Sequence, residues 1–362
     1  MDLIIDSTVF YDDPNLKSEN WTLIREYVKR TASRVLVPSV VQDEITAKFS
    51  ARLQKAQSDF EVAKRLIERL AETVFKTPII DVGVETKNYS HRLESRLKPI
   101  NGGILPYPSV THQLLVEREL KDLKPFQPKG TGYRDALIWY SLLEYVKREH
   151  RDSVLITSNT NDFAAHKDNA NSMHANLAAD LEGTGLTTRL EIRRSLGQFI
   201  DDFVKPVLQK LDEFKLGLER GDPVDLKRYL GKHFTAVFEQ LRSTRLQIRI
   251  PGVRLEEPIG VSSLGDPSVI QIDQVLELNA EEVYIEFHTV YEANIFGFLL
   301  RVDAYGLEED SDVSVTDIDW NGHYAEVEAT VNLEVRLGAI YDRDEKDIVS
   351  LEVKEAKSEN EY

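Results

Sequence analysis

Apolar positions in the first half of the chain alternate between two rhythms. Leu3–Ile5 is a short apolar run closed by Asp6, which predicts a buried first strand. Trp21, Ile24 and Val28 share one face of a helix spanning Glu19 to Arg30. Arg34 to Val37 predicts a second strand, stopped by Pro38, with Ser39 as the N-cap of the next helix. Ile45, Phe49, Leu53 and Phe60 then mark a long helix or helical pair from Val40 to about Phe75. Residues 76–131 hold Pro78, Pro99, Gly102-Gly103, Pro106, Pro108, Pro125 and Pro128 and are expected to be an irregular, substrate-facing insertion. A helix from Tyr133 to Glu149, a strand over Val154–Thr157 and a helix over His174 to Leu181 come next. Strands alternating with helices predict a parallel α/β sheet flanked by helices over residues 1–190.

Residues 191–245 read as a helical connector, with Phe199, Phe203, Val207 and Leu211 at i, i+4 spacing. From about Leu246 the period changes from 3.6 to 2. In Ala325–Leu337, alternate residues from Ala325 to Leu337 are apolar, and the positions between them are Glu326, Glu328, Thr330, Asn332, Glu334 and Arg336. That is a strand with one dry face and one wet face. Val283–Val290 and Ile295–Tyr305 are similar. Val313–Trp320 followed by Asn321-Gly322 predicts a hairpin. Asp342 to Asp347 reads as a charged hairpin tip. Residues 246–362 are therefore expected to form an antiparallel β domain, giving an α+β chain overall.

Charge sharpens this division. Residues 1–200 hold 28 Lys and Arg against 27 Asp and Glu, whereas the remainder holds 17 against 35, so nearly all of the net charge of −17 lies in the second part. The β domain is thus a poor phosphate binder, and the first domain is free of that handicap. The chain has no cysteine, which excludes disulfides, thiolate-held zinc and thiol nucleophiles. It has no apolar run long enough for a membrane span, and its opening reads as a strand and not as a leader. A cytoplasmic location is the simplest expectation.

Four acids fall where an open parallel sheet builds its sites, at strand carboxyl ends. Asp6 ends the first strand and Glu44 lies early in the helix after the second. Asp135 lies in the first turn of its helix, and Asp162 lies just past Val154–Thr157. Taken singly, each has an ordinary explanation as a cap, a turn residue or a solvated charge. Taken together, four carboxylates in one crevice require raised pKa values or a cation. An all-oxygen donor set suits Mg²⁺ or Mn²⁺, whose chemistry hydrolyses phosphodiesters.

These segments resemble the PIN-domain family of ribonucleases. LIIDSTVF is similar to the family's opening strand with its first acid, Asp6. The usual Asp-Thr-Asn or Asp-Thr-Ser is here Asp6-Ser7-Thr8. VLVPSVVQDEI resembles the second block with Glu44, GYRDALIWYSLLEY the third with Asp135, and VLITSNTNDF the fourth with Asp162 and an accessory Asn159. The long helix and the insertion resemble a larger bacterial subgroup. The resemblance implies a metal-dependent endonuclease in which Asp6, Glu44, Asp135 and Asp162 hold Mg²⁺ or Mn²⁺. Thr8 and Asn159 would orient water or a carboxylate, and Lys129 and Arg134 would hold substrate phosphates. The expected partner is nucleic acid, RNA before DNA, with a toxin or anti-phage role. A regulatory protein or a second copy would meet the β domain, and no membrane is involved.

Two rival readings stand beside this one: a DNA or structure-specific nuclease, and a catalytically silent PIN-fold scaffold. Tyr107, Tyr133 and Phe126 are candidates for stacking on bases. The histidines show no metal-binding spacing, and the acidic run Glu308 to Asp312 lacks a calcium-loop pattern.

Overall fold

Short runs of branched aliphatic residues, too brief for helices and flanked by turn formers, build the first sheet. A computed structural model describes all residues except 12, 72–73, 75–79, 129–130, 167–168, 183–188, 245, 251–252, 308–312 and 359–362. The chain divides into two compact units, Met1–Val207 and Leu208–Tyr362. This boundary falls inside the stretch 191–245.

The first unit runs β1 (Asp2–Ile5), α1 (Glu19–Thr31), β2 (Val35–Pro38), α2 (Ser39–Ala71), α3 (Val82–Leu97), β3 (Gly102–Leu105), α4 (His112–Leu120) and α5 (Tyr133–Glu149). It continues with β4 (Ser153–Ile156), α6 (Thr160–Phe163), β5 (Ala164–His166), β6 (Asn169–Met173), α7 (Ala175–Glu182), β7 (Leu190–Arg193) and α8 (Leu196–Phe199). Five strands form a wholly parallel sheet in the order β3-β2-β1-β4-β7. Leu3, Ile4, Ile5, Val154, Leu155 and Ile156 are fully buried, as a parallel sheet covered on both faces requires. The antiparallel pair β5–β6 stands outside this sheet.

The strand order places β2 on one side of β1 and β4 on the other. The connections therefore diverge at β1, and a crevice is expected beyond the carboxyl ends of β1 and β4. Ile5 pairs with Ile156 at that end, and the Asp6 amide donates to the Ile156 carbonyl at 3.0 Å.

Two expectations need correction. Residues 76–131 are not an irregular insertion, because they contain α3, β3 and α4. The Asp81 carboxylate caps α3 by accepting from the Val84 amide, and Tyr89, Leu93 and Leu97 form a buried i, i+4, i+8 stripe. Tyr89 stacks on Phe49 of α2, with ring centroids 4.3 Å apart. The prolines punctuate these elements and do not dissolve them. Ser39 is the first residue of α2 and not its cap, since its hydroxyl donates to the Leu105 carbonyl at 2.8 Å. Along α2 only Val40, Val41 and Ile45 are buried, and Phe60 is half exposed.

The second unit comprises β8 (Gln209–Lys210), α9 (Asp212–Glu219), α10 (Leu226–Lys232), α11 (Phe234–Ser243), β9 (Glu256–Pro267) and β10 (Gln271–Glu277). It then runs β11 (Glu282–Leu300), α12 (Arg301–Ala304), β12 (Val313–Asp317), β13 (Tyr324–Asp342) and β14 (Asp347–Ser358). Its strands form one seven-stranded sheet with antiparallel pairing throughout. β11 and β13 pair from Glu282↔Asp342 to Leu300↔Tyr324. The expected strands 283–290 and 295–305 are thus one, ended by the turn α12. Buried Tyr291 and Ala293 alternate with exposed Glu292 and Asn294, so the period of 2 continues across the gap. The expected hairpin joins β12 to β13, with Gly322 at φ 78° supplying the left-handed turn residue. Leu226, Leu230, Val237 and Leu241 of α10 and α11 share a core with sheet residues such as Val335 and Leu337. Among the described residues no helix is long and apolar enough to cross a membrane.

Candidate active site

Asp6 leaves the carboxyl end of β1 and caps the short turn Ser7–Phe10. Its Oδ1 accepts from the Ser7 amide at 2.6 Å, and its Oδ2 accepts from the hydroxyls of Thr157 at 2.7 Å and Thr8 at 3.2 Å. Three donors would ordinarily hold a carboxyl below its usual range. Here burial outweighs them, the charge of Glu44 adds to it, and the Asp6 pKa is raised. Thr8 sits as expected beside Asp6 and also accepts from the Ser158 amide at 3.1 Å, linking the two strand ends.

Asp135 is placed by a glycine. Gly132, the residue before α5, has φ +108°, and a Cβ there would lie 2.5 Å from the Pro125 carbonyl oxygen. Only glycine fits both constraints, and α5 then starts with Asp135 in its first turn. The Asp135 carboxyl is pushed up to about 7, chiefly by burial, then by the charges of Asp162 and Asp6. Asn159 opposes this shift by donating from Nδ2 to Asp135 Oδ1 at 3.1 Å. The same amide nitrogen donates to Oδ2 of buried Asp162, and Gln127 Nε2 donates to Asp162 Oδ1.

Glu44 lies one turn into α2, and its charge acts on Asp6. Its Oε1 meets Lys48 Nζ at 2.5 Å and Arg134 Nη1 at 3.2 Å, and accepts from the Tyr11 hydroxyl at 3.4 Å. The four acids, from four separate stretches of chain, therefore share one field: Asp135 responds to Asp162 and Asp6, and Asp6 to Glu44.

The structure treats the other expected residues differently. Arg134 is largely exposed and bound to Glu44. Lys129 and the run Glu308 to Asp312 lie outside the described residues. Phe126 is 1% exposed and packs with Leu115 and Ala136, which removes it from any stacking role. Sequence reasoning missed Thr157, Gln127, Lys48 and Tyr11. Lys48 carried a signal, standing four residues after Glu44 on a helix. Gln127 carried none, because it approaches Asp162 across a fold-dependent gap in sequence.

Among the described residues, two of this unit's clefts bear on the site. One, of about 600 Å³, is lined by Glu44, Arg134, Tyr107 and Tyr133 and so adjoins the acids. The other, of about 780 Å³, lies between α1 and α3, and its lining includes Lys17, Arg25, Arg92 and Arg96 and none of the four acids.

Carboxylates gathered at the switch point of an open parallel sheet define an α/β protein with an acidic, oxygen-rich site. Residues 3–163 match the family model described as PIN domain, so this part of the chain is similar to that family. The family's fold is that of a metal-dependent nuclease acting on nucleic acid. The match does not extend into Leu208–Tyr362. No curated protein and no solved structure matches the chain.

The fit of these donors to a divalent ion has two sides. Among the described residues no three Asp, Glu or His side chains stand as a ready-made ligating cluster. Asn159 spans Asp135 and Asp162, and Glu44 is engaged by Lys48 and Arg134. In chemistry the acids do fit a hard divalent cation: all donors are oxygens, and their mutual repulsion on Asp135 is what a cation would relieve.

Proposed function

We propose that this chain is an Mg²⁺- or Mn²⁺-dependent endoribonuclease whose metal-binding carboxylates are Asp6, Glu44, Asp135 and Asp162. The observation that carries the reading is that one amide, Asn159 Nδ2, donates to both Asp135 and Asp162, with burial and the charges of Asp162 and Asp6 pushing the Asp135 carboxyl up to about 7. Raised carboxyls coupled to like charges in a crevice mark functional sites more often than structural ones. When bound, the divalent ion supplies a water of lowered pKa and Lewis acidity toward a phosphoryl oxygen.

The chain's own residues do the positioning. Thr157 and Thr8 fix the orientation of Asp6, and Asn159 ties Asp135 and Asp162 to one amide. Lys48 and Arg134 neutralise Glu44 in the free protein. Arg134, with most of its side chain in solvent, exchanges Glu44 for a substrate phosphate when the strand arrives. On sequence grounds we also assign Lys129 to substrate phosphate. The basic cleft between α1 and α3 supports nucleic acid as the partner, since backbone affinity rests on Lys and Arg. The acidic β unit is assigned to control or self-association and not to strand binding. We assign a toxin or anti-phage role from the family resemblance, and a cytoplasmic setting from the cysteine-free composition.

The test is incubation of the full chain with labelled single-stranded RNA and DNA, with Mn²⁺, Mg²⁺ or chelator. Metal-dependent internal cleavage of RNA, absent in Asp135→Asn, is the expected result. Equal cleavage by that variant would reject the assignment.

A further inference from the structure

The cleft beside Glu44 has the composition of a ring-binding site. Its lining includes the apolar residues Val40, Val110, Leu115 and Leu137, together with Asp43 and His112. Its walls carry Tyr107 and Tyr133, which are 50% and 45% exposed, unusually open for tyrosines in a concave surface. The Tyr107 hydroxyl donates to Asp43 Oδ2 at 2.5 Å, and this holds its ring in place. Both phenols line this one cleft, and the Tyr107 pKa is raised first by its bond to Asp43, then by burial, with Tyr133 adding to it. A volume of about 600 Å³ lies within the range of small-molecule sites, about 300–1,000 Å³.

The cleft and the acid cluster also share residues. Glu44 and Arg134 line the cleft and bond to each other. Tyr133 stands two residues before Asp135 in the first turn of α5. A ligand seated in the cleft therefore adjoins Glu44, the member of the four acids that lines it. A planar, polar-edged ring linked to a phosphate meets three features of this lining: its apolar side chains, its two exposed tyrosines and the Arg134 guanidinium beside Glu44.

We propose that this cleft takes one unpaired nucleobase of the strand whose backbone meets the acid cluster, an inference that rests on the nuclease reading. The occupant must leave its stack to enter. Bases in a duplex are held in stacks and pairs, so the site selects single-stranded segments, loops and ends. Stacking reads the π-face common to every base, so the site favours unpaired nucleotides over any particular sequence.

The experiment is fluorescence anisotropy of the full chain with a labelled single-stranded RNA oligonucleotide, in chelator so that no cleavage occurs. Base–aromatic stacking is worth about 1–3 kcal/mol, so Tyr133→Ala and Tyr107→Ala should each weaken binding about 5- to 150-fold. Tyr133→Phe should bind as the unaltered protein does, which separates stacking from the hydroxyl. An oligonucleotide with one abasic position in the bound segment should lose the same factor. Equal binding of single-stranded DNA would support the inference, because the base and not the sugar is read. Unchanged affinity in both alanine variants would overturn it, and so would duplex RNA binding as tightly as the single strand. The cleavage assay run in parallel separates the two readings. Tyrosine-dependent binding without any metal-dependent cleavage supports the base site and removes the nuclease. Cleavage with tyrosine-independent binding does the reverse.

Discussion

The Thr157 hydroxyl donates a 2.7 Å hydrogen bond to Asp6 Oδ2, and both side chains are almost wholly buried. The bond joins the carboxyl ends of β4 and β1 at the point where the sheet's connections diverge. Removing the donor leaves a buried carboxylate short of a partner. Thr157→Val, which keeps the shape, should therefore destabilise the protein by about 1–3 kcal/mol in urea unfolding, and Thr157→Ser should recover most of that loss. A variant as stable as the parent would show that the bond contributes nothing.

Asp135 makes stability depend on pH in an unusual direction. Its folded pKa of about 7 lies above the ordinary 3.8, so the native state holds a proton that the unfolded chain releases. The contribution is fully present below about pH 3.8 and is lost as pH rises through about 7. Asp135→Asn mimics the protonated form at every pH. In chelator, its stability advantage over the parent should be larger at pH 8 than at pH 5, by on the order of 2 kcal/mol. Denaturant unfolding of both proteins at the two pH values measures this, and a pH-independent difference would contradict it.

Gly132 should tolerate no side chain. Its positive φ and the 2.5 Å approach of a Cβ to the Pro125 oxygen both oppose substitution. Gly132→Ala is expected to cost about 1–3 kcal/mol and to lower cleavage by displacing the first turn of α5. Thermal unfolding and initial rates would show both effects, whereas an unaffected variant would detach Gly132 from the placement of Asp135.

Tyr89 tests the helix that the neighbouring prolines concealed. It is 1% exposed and stacked on Phe49. Tyr89→Ala should cost about 3–5 kcal/mol, as for other large buried aromatics. A cost below about 0.5 kcal/mol is what a surface loop would give.

Much of the fold was legible because local pattern and tertiary role coincided. Leu3–Ile5 and Val154–Ile156 are continuous apolar runs, as doubly covered strands must be, and the alternation in Ala325–Leu337 survives intact within β13. The α3–β3–α4 region was hidden because Pro99, Pro106 and Pro108 lie between its elements, and their density resembles a loop. β7 and the β5–β6 pair were too short to announce themselves. The four acids could be proposed from the sequence, since each follows a strand or lies early in a helix. The groups that hold them could not, because Thr157, Gln127 and Tyr11 reach their partners only through the fold. Phe126 shows the reverse case: it stands in a Pro-rich stretch that invites an exposed reading, yet it is sealed in a small core.

Whether Asp6, Glu44, Asp135 and Asp162 together grip a divalent ion is measured most directly by Mn²⁺ binding, which assumes nothing about substrate. Titration of the full chain with Mn²⁺, followed by loss of the free-ion paramagnetic resonance signal, should show saturable binding. Asp6→Asn, Glu44→Gln, Asp135→Asn and Asp162→Asn should each weaken it about tenfold or more, as loss of a charged ligand does. An unaltered protein that leaves the signal of free Mn²⁺ unchanged, or four variants that bind as well as the parent, would contradict the account.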